Sequence, residues 1–291
     1  MEAVSLFLQL LVRGLITGSL YALLGVSWGI IYNTTRTFHF AHGFVYTLAS
    51  YLILALVGLS LPLIPSLLVG LTAATMAGCA IEYFAYRPMR EQNASQLSVF
   101  LTAMGIMIAG QSLILLIFGP DSRPLEGFPE RVISLGPVTF TTIDLFTVVL
   151  AWTVIAFLFY FLARTKAGMM IRAVSSNPEK ATFIGIDSKK IYLLVFGIGS
   201  LLVGIASFLA TLDRPANPNI GLHALLISFI TVFLGGVGNL KGAVIGGLIL
   251  GVAESLVIMV LPTEYKMIVT FFILFLVILV KPEGLMGKKS V

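Results

Sequence analysis

Residues 164–190 read RTKAGMMIRAVSSNPEKATFIGIDSKK. The stretch is polar and basic, with Arg164, Lys166, Arg172, Lys180, Lys189 and Lys190 against Glu179 and Asp187. Long apolar runs flank it on both sides, so it stands as a polar island in a chain built of apolar spans. Over the whole sequence 58% of residues are hydrophobic and 11% are charged, and the mean hydropathy is +1.03. A soluble domain carries about 25% charged residues. The surplus apolar surface needs lipid, which makes this an all-α integral membrane protein. Its basic residues sit at span ends rather than in a stripe on a soluble domain, which argues against nucleic acid as a partner. The single cysteine, Cys79, excludes an intrachain disulfide and reads as a small buried residue. The opening MEAVSLFLQLL has no basic segment before its apolar run, so it is read as a retained first span rather than a signal peptide.

A span takes roughly 20 apolar residues. The runs predict spans near 5–31, 40–58, 62–85, 97–118, 144–163, 191–212, 222–238, 240–261 and 264–280. This is a polytopic helical bundle of about nine crossings, within a range of eight to ten. The pair 222–238 and 240–261 is the open point, because only GGVGNLKG joins its members and the first could be re-entrant. Positive charge arbitrates. With the N-terminus outside, Arg36, Arg87, Arg90, the six basic residues of the island, Lys241, Lys281, Lys288 and Lys289 all fall inside. Arg123, Arg131, Arg214 and Lys266 fall outside, and Arg13 lies within a span, where it could snorkel to the interface. That bias favours nine crossings and a cytoplasmic C-terminus. The whole of 1–291 then reads as one transmembrane domain with an inner segment 164–190 and an outer loop 119–143. Pro120, Pro124, Pro129 and Pro137 deny that loop a long helix and predict an irregular cap. A second outer loop, 213–219, is compact and polar.

The island encodes two short helices. Asn177 is a helix cap, Pro178 suits the first helical position, Glu179 complements the positive end of the dipole, and Gly185 is placed as the stop. That helix carries Ala181, Phe183 and Ile184. Upstream, 167–174 can form another, exposing Met169, Met170 and Ile171. Unburied apolar side chains on a short inner helix fit a groove on a soluble partner. They equally fit an interfacial helix lying on anionic lipid.

Several ordered motifs then make the chain recognisable. They are FHFAHGFVYTLASY at 38–51, YRPMR at 86–90, GMMIRAVSSNPEKATFIGID at 168–187, NPNIG at 217–221, FLGGVGNLKGAVIGGLILGVAES at 233–255, TEYK at 263–266 and KPEGLMG at 281–287. The chain resembles the permeases of bacterial branched-chain amino acid ABC uptake systems nearly end to end. The resemblance implies an ABC-importer permease of the bacterial inner membrane, moving branched-chain or related amino acids. It implies two ATPase subunits inside, a second permease (a copy of this chain or another), and a periplasmic or lipid-anchored substrate-binding protein outside. It also makes the segment matching 168–187 the docking element for an ATPase, with Gly168, Arg172, Asn177, Pro178, Glu179, Ala181 and Gly185 as the coupling residues. The sequence has no GxxxxGK[ST] phosphate loop, so ATP and Mg belong to the partner subunits and no cofactor is expected on this chain.

Candidates for the translocation path come from polar interruptions in apolar runs. The segment from Asn33 to Gly43 breaks one such run, and irregular backbone at membrane depth is tolerated where it lines a cavity. An amino acid zwitterion needs donors for its carboxylate and acceptors for its ammonium. Asn33, Thr37, His39, Phe40, His42 and Gly43 are the candidates there. His39 and His42 are three apart, but no third ligand lies near, so no metal is expected. Against the family pattern, His39 stands where Asn is common and Phe44 where an acidic residue is common. Gly236 and Asn239 in the GGVGNLKG turn, and Glu254 within an apolar run, complete the set. Glu82, near an inner span end, is read as a partner for Arg87. Gly242, Gly246 and Gly247 suit close helix packing. Two other functions remain open on the residues alone. One is a channel or secondary transporter for urea, short amides or another small neutral solute. The other is a membrane enzyme, for which only the two histidines speak.

Overall fold

The computed structural model of the protein describes residues 2–125, 128–262 and 265–287. The chain runs through α1 (Glu2–Thr35), α2 (His42–Gly58), α3 (Leu63–Ile81), a π-helical turn (Glu82–Tyr86), α4 (Arg87–Glu91) and α5 (Gln96–Phe118). Strands β1 (Val132–Leu135) and β2 (Val138–Thr141) follow, then α6 (Thr142–Arg164), α7 (Lys166–Ser176) and α8 (Pro178–Phe183). The last elements are α9 (Ser188–Asp213), α10 (Ile220–Gly235), α11 (Leu240–Val257) and α12 (Lys266–Val280). Every apolar run of the sequence is helical among the described residues. Among the described residues, six helical stretches are long and apolar enough to cross a membrane: Val4–Thr35, Leu63–Glu91, Gln96–Phe118, Thr142–Arg164, Ser188–Asp213 and Leu240–Val257. Three apolar helices are shorter, at His42–Gly58, Ile220–Gly235 and Lys266–Val280.

Two local predictions need correction. Asn33 does not lie in the interruption, because α1 continues to Thr35. Thr34 and Thr35 turn their hydroxyls back onto the carbonyls of Ile30 and Ile31, 2.9 Å each, which lets polar residues stay helical. Arg36, at φ 56°, ends the helix, so the break is 36–41. The loop 119–143, expected to be irregular throughout, is not wholly so. Its second half is an antiparallel hairpin, registered from Val132↔Thr141 to Leu135↔Val138. Gly136, at φ 61°, opens the two-residue turn with Pro137, the position where hairpins of this length favour glycine.

The chain forms two compact units. The first comprises the described parts of 1–29, 126–154 and 226–291. Here α1 lies directly on α11. A side chain at Gly14 would place its Cβ 2.7 Å from Val252 Cα, and one at Gly18 would sit 2.9 Å from Leu248 Cα. Gly251 faces Gly18 and Gly247 faces Ala22 in the same way. Small residues four apart on both helices let the backbones approach, which is how apolar helices associate in lipid. Trp28 is fully buried and meets Phe229 edge-on at 5.8 Å. Arg13 does not reach for the interface alone. It pairs at 3.3 Å with buried Asp144, which also accepts from the Thr141 amide at 2.8 Å and so caps α6.

The second unit comprises 30–125 and 155–225 and is built around α2, α3, α5 and α9. Its buried hydroxyls join α2 to α9. Ser50 bonds to Ser207 and lies 2.9 Å from the Thr211 hydroxyl, while Ser207 donates to the Tyr46 carbonyl at 2.6 Å. In a lipid-embedded bundle such interhelical bonds replace the hydrophobic drive that soluble cores rely on.

Candidate coupling segment and translocation site

The segment 164–190 folds as its caps dictate. Thr165 accepts from the Gly168 amide at 3.0 Å and starts α7. A Cβ at Gly168 would fall 2.6 Å from Leu162 Cα, so only glycine lets α7 turn this sharply off α6. Helix α7 is amphipathic. It buries Gly168, Ile171 and Val174 and exposes Lys166, Met169 and Arg172. Asn177 caps α8 by accepting from the Lys180 amide at 2.9 Å, with Pro178 in the first turn and Glu179 beside the amide end. Gly185, at φ 86°, follows the end of α8. Asp187 then accepts from the amides of Lys189 and Lys190 at 3.0 and 3.4 Å and starts α9.

The exposed apolar surface is narrower than the sequence implies. Ile171 is 3% exposed and Ala181 2%, both turned into the fold, because each lies on the helix face opposite the charges. Met169, Phe183 and Ile184 remain, at 57%, 90% and 75% exposed. Arg172, Pro178, Glu179 and Gly185 are exposed around them. The result is an apolar knob ringed by polar groups, the composition of a docking surface.

Two contacts tie this segment to its neighbours within the second unit. Ser175 on α7 donates to the Asn33 carbonyl in the last turns of α1, at 2.8 Å. Lys189 pairs with Glu91 of α4 at 2.6 Å, and Glu91 also holds Arg87 at 3.1 Å. Glu82 does not pair with Arg87 as its proximity in sequence suggested. Its partner is Arg90, two helical turns away on the same face.

The 36–41 break is densely packed. Thr37, His39 and His42 are buried, as is Asn33. The Thr37 amide donates to the Thr35 hydroxyl at 3.2 Å. His39 Nδ1 lies 3.0 Å from the Tyr86 hydroxyl, and its ring meets those of His42 and Phe196 at 5.4 and 5.0 Å. Phe40 stacks edge-on against Phe100 at 4.9 Å. Gly43, in the first turn of α2, abuts Gly221 near the start of α10: a Cβ there would sit 2.7 Å from the Gly221 carbonyl oxygen. Among the described residues no three His, Cys, Asp or Glu side chains converge to hold a metal. The second unit thus brings Asn33, Thr37, His39, Phe40, His42 and Gly43 together with the segment 164–190.

The remaining candidates belong to the first unit and make their contacts there. Gly236 and Gly238, at φ 107° and 89°, form the α10–α11 turn. Asn239 caps α11, accepting from the Lys241 and Gly242 amides at 3.1 and 3.2 Å, and donates to the Met286 carbonyl at 3.1 Å. The amides of Leu285 and Met286 in turn bond the carbonyls of Leu234 and Gly235, both at 2.9 Å. The KPEGLMG motif therefore seals this turn. Glu254 is 6% exposed, accepts from Tyr21 at 2.7 Å and also from Thr270, and so joins α1, α11 and α12. Its two oxygens are occupied within that unit.

Ser175, Tyr86, Arg90 and Tyr192 are contact residues that the sequence did not mark. YRPMR contains two of them, and its proline was the available signal. Ser175 gave none.

A family model described as branched-chain amino acid transport system / permease component matches residues 10–278. The chain is 32% identical to the high-affinity branched-chain amino acid transport system permease protein BraD of Pseudomonas aeruginosa, over 98% of this chain and 97% of that protein. It is equally similar, at 32% over the same shares, to the high-affinity branched-chain amino acid transport system permease protein LivH of Escherichia coli. Among solved structures, PsaBC from Streptococcus pneumoniae in complex with Fab covers 96% of this chain and 91% of its own at 12% identity. Its TM-score of 0.48 is too low to inform the fold.

Proposed function

The chain belongs to the branched-chain amino acid transport system permease family, and from that premise we propose that it carries branched-chain or related amino acids through the membrane by ATP-driven alternating access. In this reading two ATPase subunits dock from inside on 164–190. A second permease completes the pore, and a soluble binding protein delivers the solute from outside. The N-terminus lies outside, the C-terminus inside, and nine helices cross.

The observation that carries the reading is the joining of an exposed apolar knob to a buried polar break. Met169, Phe183 and Ile184 face outward for a partner, while Ser175 on the same segment is bonded to the last turns of α1. Helices behave as rigid levers, so movement of α7 is passed through that bond to the end of α1, which runs directly into 36–41. The break supplies what a zwitterion needs: backbone groups freed from helix, the Thr37 hydroxyl and two imidazoles. The rings of Phe38, Phe40 and Phe196 pack at the break and give it the apolar character that a branched aliphatic side chain would need. The buried side chains at the break, Thr37, His39 and His42, include no carboxylate or ammonium, which suits a solute of no net charge. Selectivity among neutral solutes is then shared with the binding protein.

The test is reconstitution of the full complex in liposomes with ATP inside and binding protein outside. Leucine uptake that depends on ATP supports the reading. Uptake of urea or an amide without ATP would replace it with the channel. Arg172→Glu combined with Ala181→Pro should abolish substrate-stimulated hydrolysis while the chain still inserts. Stimulation at the parental rate would remove 164–190 from the coupling role.

A further inference from the structure

The inner end of α3 carries a structure that docking on 164–190 does not require. Pro88 lies within a helical stretch running from Leu63 to Glu91. Proline has no amide hydrogen, and its ring crowds the carbonyl one turn back. The helix absorbs this as one π-helical turn at Glu82–Tyr86. Such turns are rare and concentrate at functional sites. Both ends of this one are buried: Glu82 is 1% exposed and Tyr86 is fully enclosed.

Each end reaches a different neighbour. Glu82 pairs with Arg90, whose guanidinium lies 4.7 Å from the ring centroid of Tyr192 in the first turns of α9. Tyr86 reaches the break: its hydroxyl is 3.0 Å from His39 Nδ1, and its ring meets His39 edge-on at 5.6 Å and Phe196 at 5.5 Å. A buried ion pair is weak evidence for stability, since apolar side chains of similar size often serve as well. What such a pair secures is position.

We infer that the π turn is a second transmission route from the docking segment to the break. Tyr86 is a positioning residue that holds His39, and the Glu82–Arg90 pair clamps the turn to the start of α9. That start is the last part of 164–190 and is fastened to α4 by Lys189 and Glu91. Displacement of the docking helices therefore arrives at His39 along two paths. One runs through Ser175 and the backbone of α1. The other runs through the side chains of Tyr192, Arg90 and Glu82 and then along the π turn to Tyr86. The inference rests on the ATP-driven reading, and its test separates the two.

The experiment uses the complete complex in liposomes and reads two quantities, the rate of ATP hydrolysis and the leucine moved per ATP. Tyr86→Phe keeps the ring and removes the hydroxyl. The complex should assemble and hydrolyse ATP at the parental rate, with leucine moved per ATP lowered about two- to tenfold, the range of one net hydrogen bond. His39→Leu removes the same bond from the other side, so the double variant should fall no further than the worse single variant. Arg90→Lys retains the charge but loses the planar stack on Tyr192, and should lower the same ratio. An unchanged ratio in Tyr86→Phe, additive losses in the double variant, or failure of Tyr86→Phe to assemble would each overturn the positioning role. If the parental complex moves no leucine with ATP, it is the importer reading that fails.

Discussion

Gly247 and Gly105 show how one residue type does opposite work in this chain. A Cβ at Gly247 would lie 2.6 Å from Ala22 Cα, backbone against backbone, with no flexible side chain to yield. Gly105, within α5, has nothing within 4 Å of the same position and is exposed. Gly247→Val should therefore overpack the α1–α11 contact and cost about 1–3 kcal/mol. Gly105→Ala should be neutral or gain up to about 1 kcal/mol from helix propensity. Thermal unfolding of the purified protein in detergent checks both, and equal melting temperatures for the two variants would contradict the packing account. Glu254 makes a related point. An acid in an apolar run reads as functional by default, yet here Tyr21 and Thr270 hold it between helices. Glu254→Gln can keep both bonds, so it should preserve folding and uptake, as measured by leucine transport. Loss of uptake with folding intact would return Glu254 to the translocation path.

Among the elements, α7 is the decisive one because one of its faces packs into the fold and the other is exposed. Ile171 and Val174 fix it to the fold while Met169 and Arg172 remain outside. Its bond to α1 passes through a single hydroxyl, that of Ser175. Ser175→Ala should leave the caps of α7 and α8 intact and the ATPase bound. Leucine moved per ATP should fall about two- to tenfold. Co-purification of the ATPase together with the transport ratio reads this. Loss of ATPase binding would mean that Ser175 supports the docking surface rather than the link. The cap of α8 belongs to the same scale. Asn177→Ala removes the acceptor for the Lys180 amide and should cost about 1 kcal/mol of helix stability. ATPase affinity should weaken with it, and Asn177→Asp should restore that affinity because Asp caps as well.

At the scale of the molecule, nine apolar helices among the described residues and the distribution of basic residues define the expected topology. Six of those helices have the length of a span, and the three short ones are 17, 16 and 15 residues long. Short helices still cross where flanking residues snorkel or the bilayer thins locally. A reporter fused after residue 291 should score as cytoplasmic, and one placed within the 119–143 loop should score outside. A cytoplasmic score at both positions would rule out the proposed orientation.

Hydropathy, charge bias and cap chemistry are properties of neighbours in sequence, and they set what this chain determined by itself. The apolar helices, the two helices of 164–190 and the stop at Gly185 are all legible because Asn177, Pro178 and Gly185 act within a turn of where they stand. The resemblance to a permease family was legible for the same reason, as ordered local motifs. The tertiary structure alone decided what each polar group meets. It turned Ile171 and Ala181 inward and gave Glu82 to Arg90 rather than Arg87. It placed Tyr86 beside His39 and bonded Ser175 to α1. Those partners are far apart in sequence or separated by a π turn that shifts the helical register, and no local pattern carries that information. Long-range pairing is settled by which surfaces fit once the helices pack, so the contacts that join 164–190 to the break could be read only from the folded chain.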